Sequence, residues 1–210
     1  MTEYSDLIAG YQRFRAEEYE HERERWTELG KGQSPKVMVI ACSDSRVDPT
    51  QIFDSGPGEM FVVRNVANLV PPFEDGSGRH GVSAALEFAV TQLQVTDILV
   101  MGHGSCGGVA AALSQSFADQ APGEGGFIAH WVDILDAART RIVAEHGTGP
   151  EAVKQLELEG IRTSIANLRT FPFVPNREAA GTLRLRGAHF SIADGVLLVM
   201  DEDGAFTPAA

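Results

Sequence analysis

Cysteine is scarce in this chain. Its 210 residues hold two, Cys42 and Cys106, too few for a disulfide framework. A single bridge between them is the plain structural reading. Nothing else in the sequence speaks for secretion, however, and a reducing compartment favours thiolate–metal chemistry instead. Positive charge is also short: 17 Lys and Arg stand against 29 Asp and Glu, a net charge of −12. That balance disfavours binding to a nucleic-acid backbone or an anionic membrane. No apolar run approaches the ~20 residues of a membrane-spanning helix. The N-terminal stretch is charged where a secretory leader is apolar. The expectations are a cytoplasmic protein with no nucleic-acid partner and no membrane partner. Internal repeats and low-complexity linkers are missing too, and the glycines are not spaced as a dinucleotide or phosphate-loop fingerprint.

What the chain does contain is two short segments dense in metal ligands, Cys42-Ser43-Asp44-Ser45-Arg46 and His103-Gly104-Ser105-Cys106-Gly107-Gly108. Together they offer two thiolates and one imidazole. That is the ligand count of a catalytic zinc site, where three protein groups hold the metal and a fourth position is left for water. Asp44 can fill that fourth position and close the site. It can equally pair with Arg46, whose guanidinium fits a carboxylate bidentately and would hold it ionised and off the metal. Gly107 and Gly108 are ordinary helix-start residues, or they let backbone approach the metal and set helix N–H groups near an anion.

The length suits one domain, residues 1–210, with residues 1–30 as a helical arm. Helix is expected over 5–29 in two pieces, with Leu7, Tyr11 and Phe14 on one face and Trp26 on a later turn. The run Lys36–Ala41 is continuously apolar, as in a strand buried on both faces. Glu59–Arg64 and Asp97–Gly102 read as further strands. Helices are expected over 80–94, from Gly107 through Leu113, over 127–145 and over 151–168. Two late strands follow at 182–190 and 195–200. The Pro- and Gly-rich stretch Pro71–Gly78 reads as a loop. Strands alternating with helices imply an α/β fold: a mostly parallel central sheet flanked by helices, with an N-terminal helical arm. Ligands of such folds sit beyond the carboxyl ends of the strands. Cys42 and His103 each directly follow a strand, which puts them on one rim.

Three ordered segments resemble the β-class carbonic anhydrases: Ala41–Val47, Phe61–Asn68 and Gly102–Gly108. The stretch His80–Val90 looks like the helix that family places between them. The resemblance is dense from about Gly32 to Leu113 and looser beyond. It implies one Zn2+ per subunit on Cys42, His103 and Cys106, and Asp44 and Arg46 as a catalytic dyad. The implied reaction is reversible hydration of CO2 to bicarbonate and a proton, by zinc-bound hydroxide that Asp44 orients. Gly107 belongs to the implied substrate pocket. Members are at least dimers, so a homodimer or higher homo-oligomer is expected, with Tyr11, Phe14 and Trp26 of the arm packing on the partner or on their own subunit. His80 and Glu87 are candidates for passing on the proton.

The family has two sub-types. The one with an auxiliary bicarbonate pocket carries Trp three residues before the first cysteine, where this chain has Val39. The plant-like one carries Gln nine residues before it, and Gln33 stands there. By resemblance, Gln33 reaches substrate or bicarbonate from across a subunit interface, and Phe61 and Val66 form an apolar wall around CO2, with simple core packing as the alternative. Phe88 replaces a tyrosine frequent in that sub-type, which removes a phenol. The sub-type implies an open site, with Asp44 held by Arg46. Hydrolysis of carbonyl sulfide or carbon disulfide on the same scaffold is a second reading. A non-catalytic zinc- or bicarbonate-binding protein is a third.

Overall fold

The computed structural model describes residues 2–76 and 78–209. Ser77, within the expected loop Pro71–Gly78, lies outside them. Contacts divide the chain into two compact units, Met1–Ser34 and Pro35–Ala210.

The first unit holds three helical pieces rather than two: α1 (Tyr4–Ala16), α2 (Glu18–His21) and α3 (Arg23–Leu29). The breaks have a packing reason. On one continuous helix, at roughly 100° per residue, Tyr19 and Trp26 would point about 140° and 120° away from Phe14. Non-helical dihedrals at Glu17 and Glu22 let the rings meet. Phe14 and Trp26 lie edge to face at 5.4 Å, and Tyr19 stacks on Trp26 at 5.9 Å. Phe14 and Trp26 therefore pack on each other, while Tyr11 stays exposed. Tyr4, Leu7, Ile8 and Tyr11 form an exposed apolar stripe along α1.

The second unit is built on a six-stranded sheet of order β2-β1-β3-β4-β5-β6. The strands are β1 (Val37–Cys42), β2 (Met60–Asn65), β3 (Asp97–His103), β4 (Arg184–Ser191), β5 (Val196–Met200) and β6 (Phe206–Pro208). β1 to β4 run parallel; β5 and β6 are antiparallel. This is the expected mixed α/β architecture. β6 was not foreseen, since a three-residue edge strand ending in Pro carries no strand pattern. The helices are α4 (Pro49–Ile52), α5 (Gly81–Glu87), α6 (Gly107–Ser114), α7 (Gly126–Val132), α8 (Asp136–His146), α9 (Pro150–Leu168) and α10 (Pro175–Ala179). The helix expected over 80–94 passes into a π-helical turn at Phe88–Gln92. That over 127–145 is interrupted by a 3-10 turn at Asp133–Leu135.

Alternate residues of β1 feed opposite cores. Met38 and Ile40 join Ile98 and Val100 of β3 beneath α5 and α9. Val39 and Ala41 join Met101 on the other face, with Ile52 and Phe53 at the end of α4 against them. A third core lies among α6 to α9 and includes Cys42, Cys106, Ala67 and Leu69. The metal-ligand segments thus sit where the carboxyl rim of the sheet meets the helical layer. Gly102 and Gly187 let α9 lie flush there. A Cβ on either would come 2.9 Å from a side-chain carbon of Ile161.

Candidate metal centre

From β1 the chain crosses to β2 on one side and later returns to β3 on the other. The crevice at such a reversal is where open α/β sheets bind ligands. Cys42 ends β1, His103 ends β3, and Cys106 is the N-cap of α6. One ligand atom from each lies within 4.8 Å of the others, and the two sulfurs are 3.9 Å apart. All three residues are buried.

The chemistry of this trio fits a divalent metal. His103 Nδ1 donates to the Gly104 carbonyl at 3.0 Å, which leaves the lone pair on Nε2. Nε2 is buried and makes no hydrogen bond among the described residues, a costly state for a polar atom. The thiols form a coupled pair. A hydrogen bond from Cys106, followed by the neighbouring His103 imidazole and the Asp44 and Ala67 amides, holds Cys42 low against its burial. The same contact with Cys42, and then burial, push Cys106 up. The pair gives up one proton readily and keeps the second, because two thiolates this close repel. A cation bound between them removes that obstacle. Burial lowers the affinity of His103 for a proton, but contacts with Cys42 and the Gly104 carbonyl outweigh it and leave the net shift upward.

The cradle under Cys42 is a strained turn. Ala67 and Asn68 take left-handed backbone angles, φ 62° and φ 49°, at about 1–2 kcal/mol each for residues with a Cβ. Asn65 closes the turn through its side chain, which donates to the Leu69 carbonyl and accepts from the Leu69 amide, both at 2.9 Å. The strain turns the Ala67 amide toward the Cys42 sulfur.

Of the two arrangements open to Asp44, the structure shows the paired one. Arg46 donates from Nε to Oδ1 at 2.9 Å and from Nη2 to Oδ2 at 2.7 Å, and its amide donates to Oδ1 at 3.0 Å. The Arg46 guanidinium, then its amide, hold the Asp44 carboxyl well below the usual carboxylate range. Asp44 in turn raises Arg46. Arg46 Nη2 also donates to the Ser105 carbonyl at 3.0 Å, tying the loop after β1 to the loop after β3. Asp44 Oδ2 lies 3.9 Å from His103 Nε2.

Sequence reasoning gave Arg64 no role. It donates to the carbonyls of Cys42 at 2.8 Å, Asp44 at 2.6 Å and Val47 at 3.3 Å, and to the Asp48 carboxylate at 3.1 Å. One side chain thereby fixes the whole loop that carries the first ligand and the dyad. The available signal was an arginine inside an otherwise apolar strand. Trp131, whose indole N–H donates to the Val66 carbonyl at 2.8 Å, gave no signal.

The remaining candidates separate. Val66 follows β2 at the rim and is 41 % exposed. Gly107 is exposed with open space where a Cβ would be, whereas a Cβ on Gly108 would strike Val66 Cγ1 at 2.7 Å. Phe61 stacks on Phe88 at 5.9 Å and packs against the α5/α9 core. It pairs with Met38, four positions before Cys42 in the β1–β2 register, which is ~13 Å along the strand. Phe61 and Phe88 are therefore not brought to their own chain's trio. Gln33 is exposed within the first unit. His80 sits half-buried at the start of α5 and Glu87 is exposed at its end.

Comparison with known proteins points one way. The sequence profile described as carbonic anhydrase matches residues 37–197. The chain is 36 % identical over 205 residues to beta carbonic anhydrase 3 of Arabidopsis thaliana, covering 97 % of this chain and 79 % of that protein. It is similar in structure to the β-carbonic anhydrase CcaA, with a TM-score of 0.89 and 32 % identity over 98 % of this chain and 92 % of the other. A tetrameric β-carbonic anhydrase of Sordaria macrospora matches at a TM-score of 0.80 and 25 % identity, covering 97 % and 98 % of the two chains.

Proposed function

The chain belongs to the β-class carbonic anhydrases and is an enzyme of that family; from this premise we propose that Cys42, His103 and Cys106 hold one zinc ion per subunit and that Asp44 and Arg46 are its catalytic dyad. The supporting observation is the convergence of two sulfurs and an imidazole nitrogen within 4.8 Å, on a histidine whose Nε2 has no partner among the described residues, beside a carboxylate held by an arginine. Zinc, when bound, acidifies the water it holds to a pKa of about 7 and so supplies hydroxide at neutral pH.

The chain's own residues do the rest. Arg46 keeps Asp44 ionised and turned so that Oδ2 stays beside the metal-facing nitrogen of His103. A fixed anionic acceptor there would accept a hydrogen bond from the attacking group and aim its lone pair at CO2. Asp44 cannot itself give a proton near neutrality, because its pKa is held low. It orients, and another group carries the proton away. Val66 and the open space over Gly107 suit an uncharged substrate. Zinc content by mass spectrometry and CO2 hydration by stopped flow, on one purified sample with carbonyl sulfide assayed alongside, test the reading. One zinc per chain with CO2 turnover is expected. A metal-free yet fully active protein, or turnover of carbonyl sulfide alone, overturns it.

A homodimer or larger assembly belongs to the same reading. Its support is the exposed stripe Tyr4, Leu7, Ile8 and Tyr11 and the tetrameric relative. Gln33, Phe61 and Phe88 then line a neighbouring copy's centre rather than their own. Light scattering across a dilution series, read with activity, checks this; a fully active monomer contradicts it. We place the enzyme in the cytoplasm, where reduced thiols are stable, and cell fractionation decides the point.

A further inference from the structure

Behind the metal trio lie two buried ionisable side chains that the reaction above leaves unused. Glu157 on α9 is 4 % exposed and His189 on β4 is 3 % exposed. Glu157 Oε1 accepts the backbone N–H of Cys106 at 3.0 Å. Its other oxygen, Oε2, meets His189 Nε2 at 3.0 Å. The path runs unbroken from β4 through a carboxylate to the amide of a metal-ligand residue.

The fold goes to some length to make this contact. Cys106 is the N-cap of α6 and has no side-chain cap of its own. Glu157 arrives from 51 residues further along the chain. α9 carries it into reach because Gly102 and Gly187 leave no Cβ in the way of Ile161, one turn beyond Glu157. A buried carboxylate is expensive unless its oxygens are engaged, and here each has a partner. His189 Nδ1 is buried with no partner among the described residues. A bare lone pair is less costly there than an orphaned N–H. The proton therefore sits on Nε2, and His189 donates to Glu157.

We propose that Glu157 is a positioning residue for the metal centre: oriented by His189, its carboxylate clamps the Cys106 amide and fixes the direction from which that sulfur meets the metal. This rests on the reading of Cys106 as a zinc ligand. Groups that orient a ligand from behind typically change metal affinity 10–100-fold when removed. Glu157→Gln is the graded variant. Its amide oxygen still accepts from Cys106, but its NH2 must donate to His189, which drives the imidazole proton onto Nδ1, where nothing receives it.

The test uses the full chain, with zinc affinity measured by competition against a chromophoric chelator and the absorption spectrum of the cobalt-loaded protein recorded beside it. The thermal midpoint of the metal-free protein serves as the folding control. Glu157→Ala is expected to fold, to bind zinc about 10–100-fold more weakly, and to alter the sulfur-to-cobalt and d–d bands. Glu157→Gln should recover most of the affinity, and His189→Asn should fall between the two. Wild-type affinity and an unaltered cobalt spectrum in a folded Glu157→Ala overturn the proposal. So does a Glu157→Ala that fails to fold while Glu157→Gln and His189→Asn both match wild type, since that result marks a purely structural pair. Failure of the underlying reading looks different: the unsubstituted protein then shows no sulfur-to-cobalt band at all.

Discussion

The loop after β1 and the N-terminal arm both set arginines against carboxylates, yet they are held in opposite ways. At the loop, Arg46 clasps the Asp44 carboxylate and the Ser105 carbonyl, and Arg64, reaching in from β2, donates to the carbonyls of Cys42, Asp44 and Val47. In the arm, Arg15 pairs with Glu20, Arg23 with Glu20, and Arg25 with Glu22, side chain to side chain and in solvent. Exposed pairs of the second kind contribute little and are screened by salt. A guanidinium spanning several carbonyls fixes the path of the main chain. Similar composition thus yields a rigid platform in one place and a solvated surface in the other.

The largest effect should come from the centre that the platform carries. Cys42→Ala or His103→Ala removes one of three ligands and leaves Asp44 locked to Arg46, so no protein group takes the empty place. Zinc is expected to fall far below one per chain. CO2 hydration should drop by on the order of a thousandfold or more, since hydroxide at neutral pH depends on the metal. Stoichiometric zinc in either variant would remove that residue from the ligand set.

Next comes the contrast itself. Arg64→Ala leaves three carbonyls and a carboxylate without a charged donor. It should cost about 2–3 kcal/mol of stability and lower activity by displacing the loop. Arg15→Ala in the arm should not move the melting temperature measurably. Equal shifts in the two melts would erase the distinction between platform and surface.

A smaller effect separates two glycines that look equivalent in sequence. Gly108→Ala drives a methyl group to 2.7 Å from Val66 Cγ1 and 3.1 Å from Ala67 Cβ, against the turn that cradles Cys42. Overpacking of this kind costs about 1–3 kcal/mol, and weaker zinc binding should accompany it. Gly107→Ala meets open space and should leave stability unchanged, with any loss confined to turnover. Thermal melts and zinc titration of the two variants decide it.

These contrasts also mark what the sequence could reveal. Cys42 and His103 were legible because each comes at the end of an apolar run, and Cys106 because it stands three residues beyond His103, so strand position and ligand chemistry coincide within a few residues. The parallel sheet was legible for the same reason. Arg64 and Glu157 were not, because their partners lie 22 and 51 residues away and no local pattern announces such a contact. The arm's breaks were hidden because three rings, not a Pro or Gly, decide where α1 to α3 stop. Phe61 sits inside a family motif, and only the register with Met38 reveals its distance from the metal trio.

The finest comparison sets Asp44 against Glu20, since an arginine holds each below the usual range. For Asp44 the folded-state pKa lies under that of an unfolded Asp, ~3.9. The pairing with Arg46 therefore adds stability above that pH and loses it only as pH falls through the lower, folded value. Asp44 should remain ionised at pH 4 when its carboxyl carbon is followed by 13C NMR, and Arg46→Ala should return its titration to the ordinary range. Glu20 should respond to salt: at 1 M, where the screening length is about 3 Å, its titration should move back toward that of a free Glu. Asp44 should move less, because two guanidinium bonds and a backbone amide hold it, where a single side-chain bond from Arg15 holds Glu20. If salt releases both carboxyls equally, the dyad is an ordinary surface pair and its rigidity must come from the metal itself.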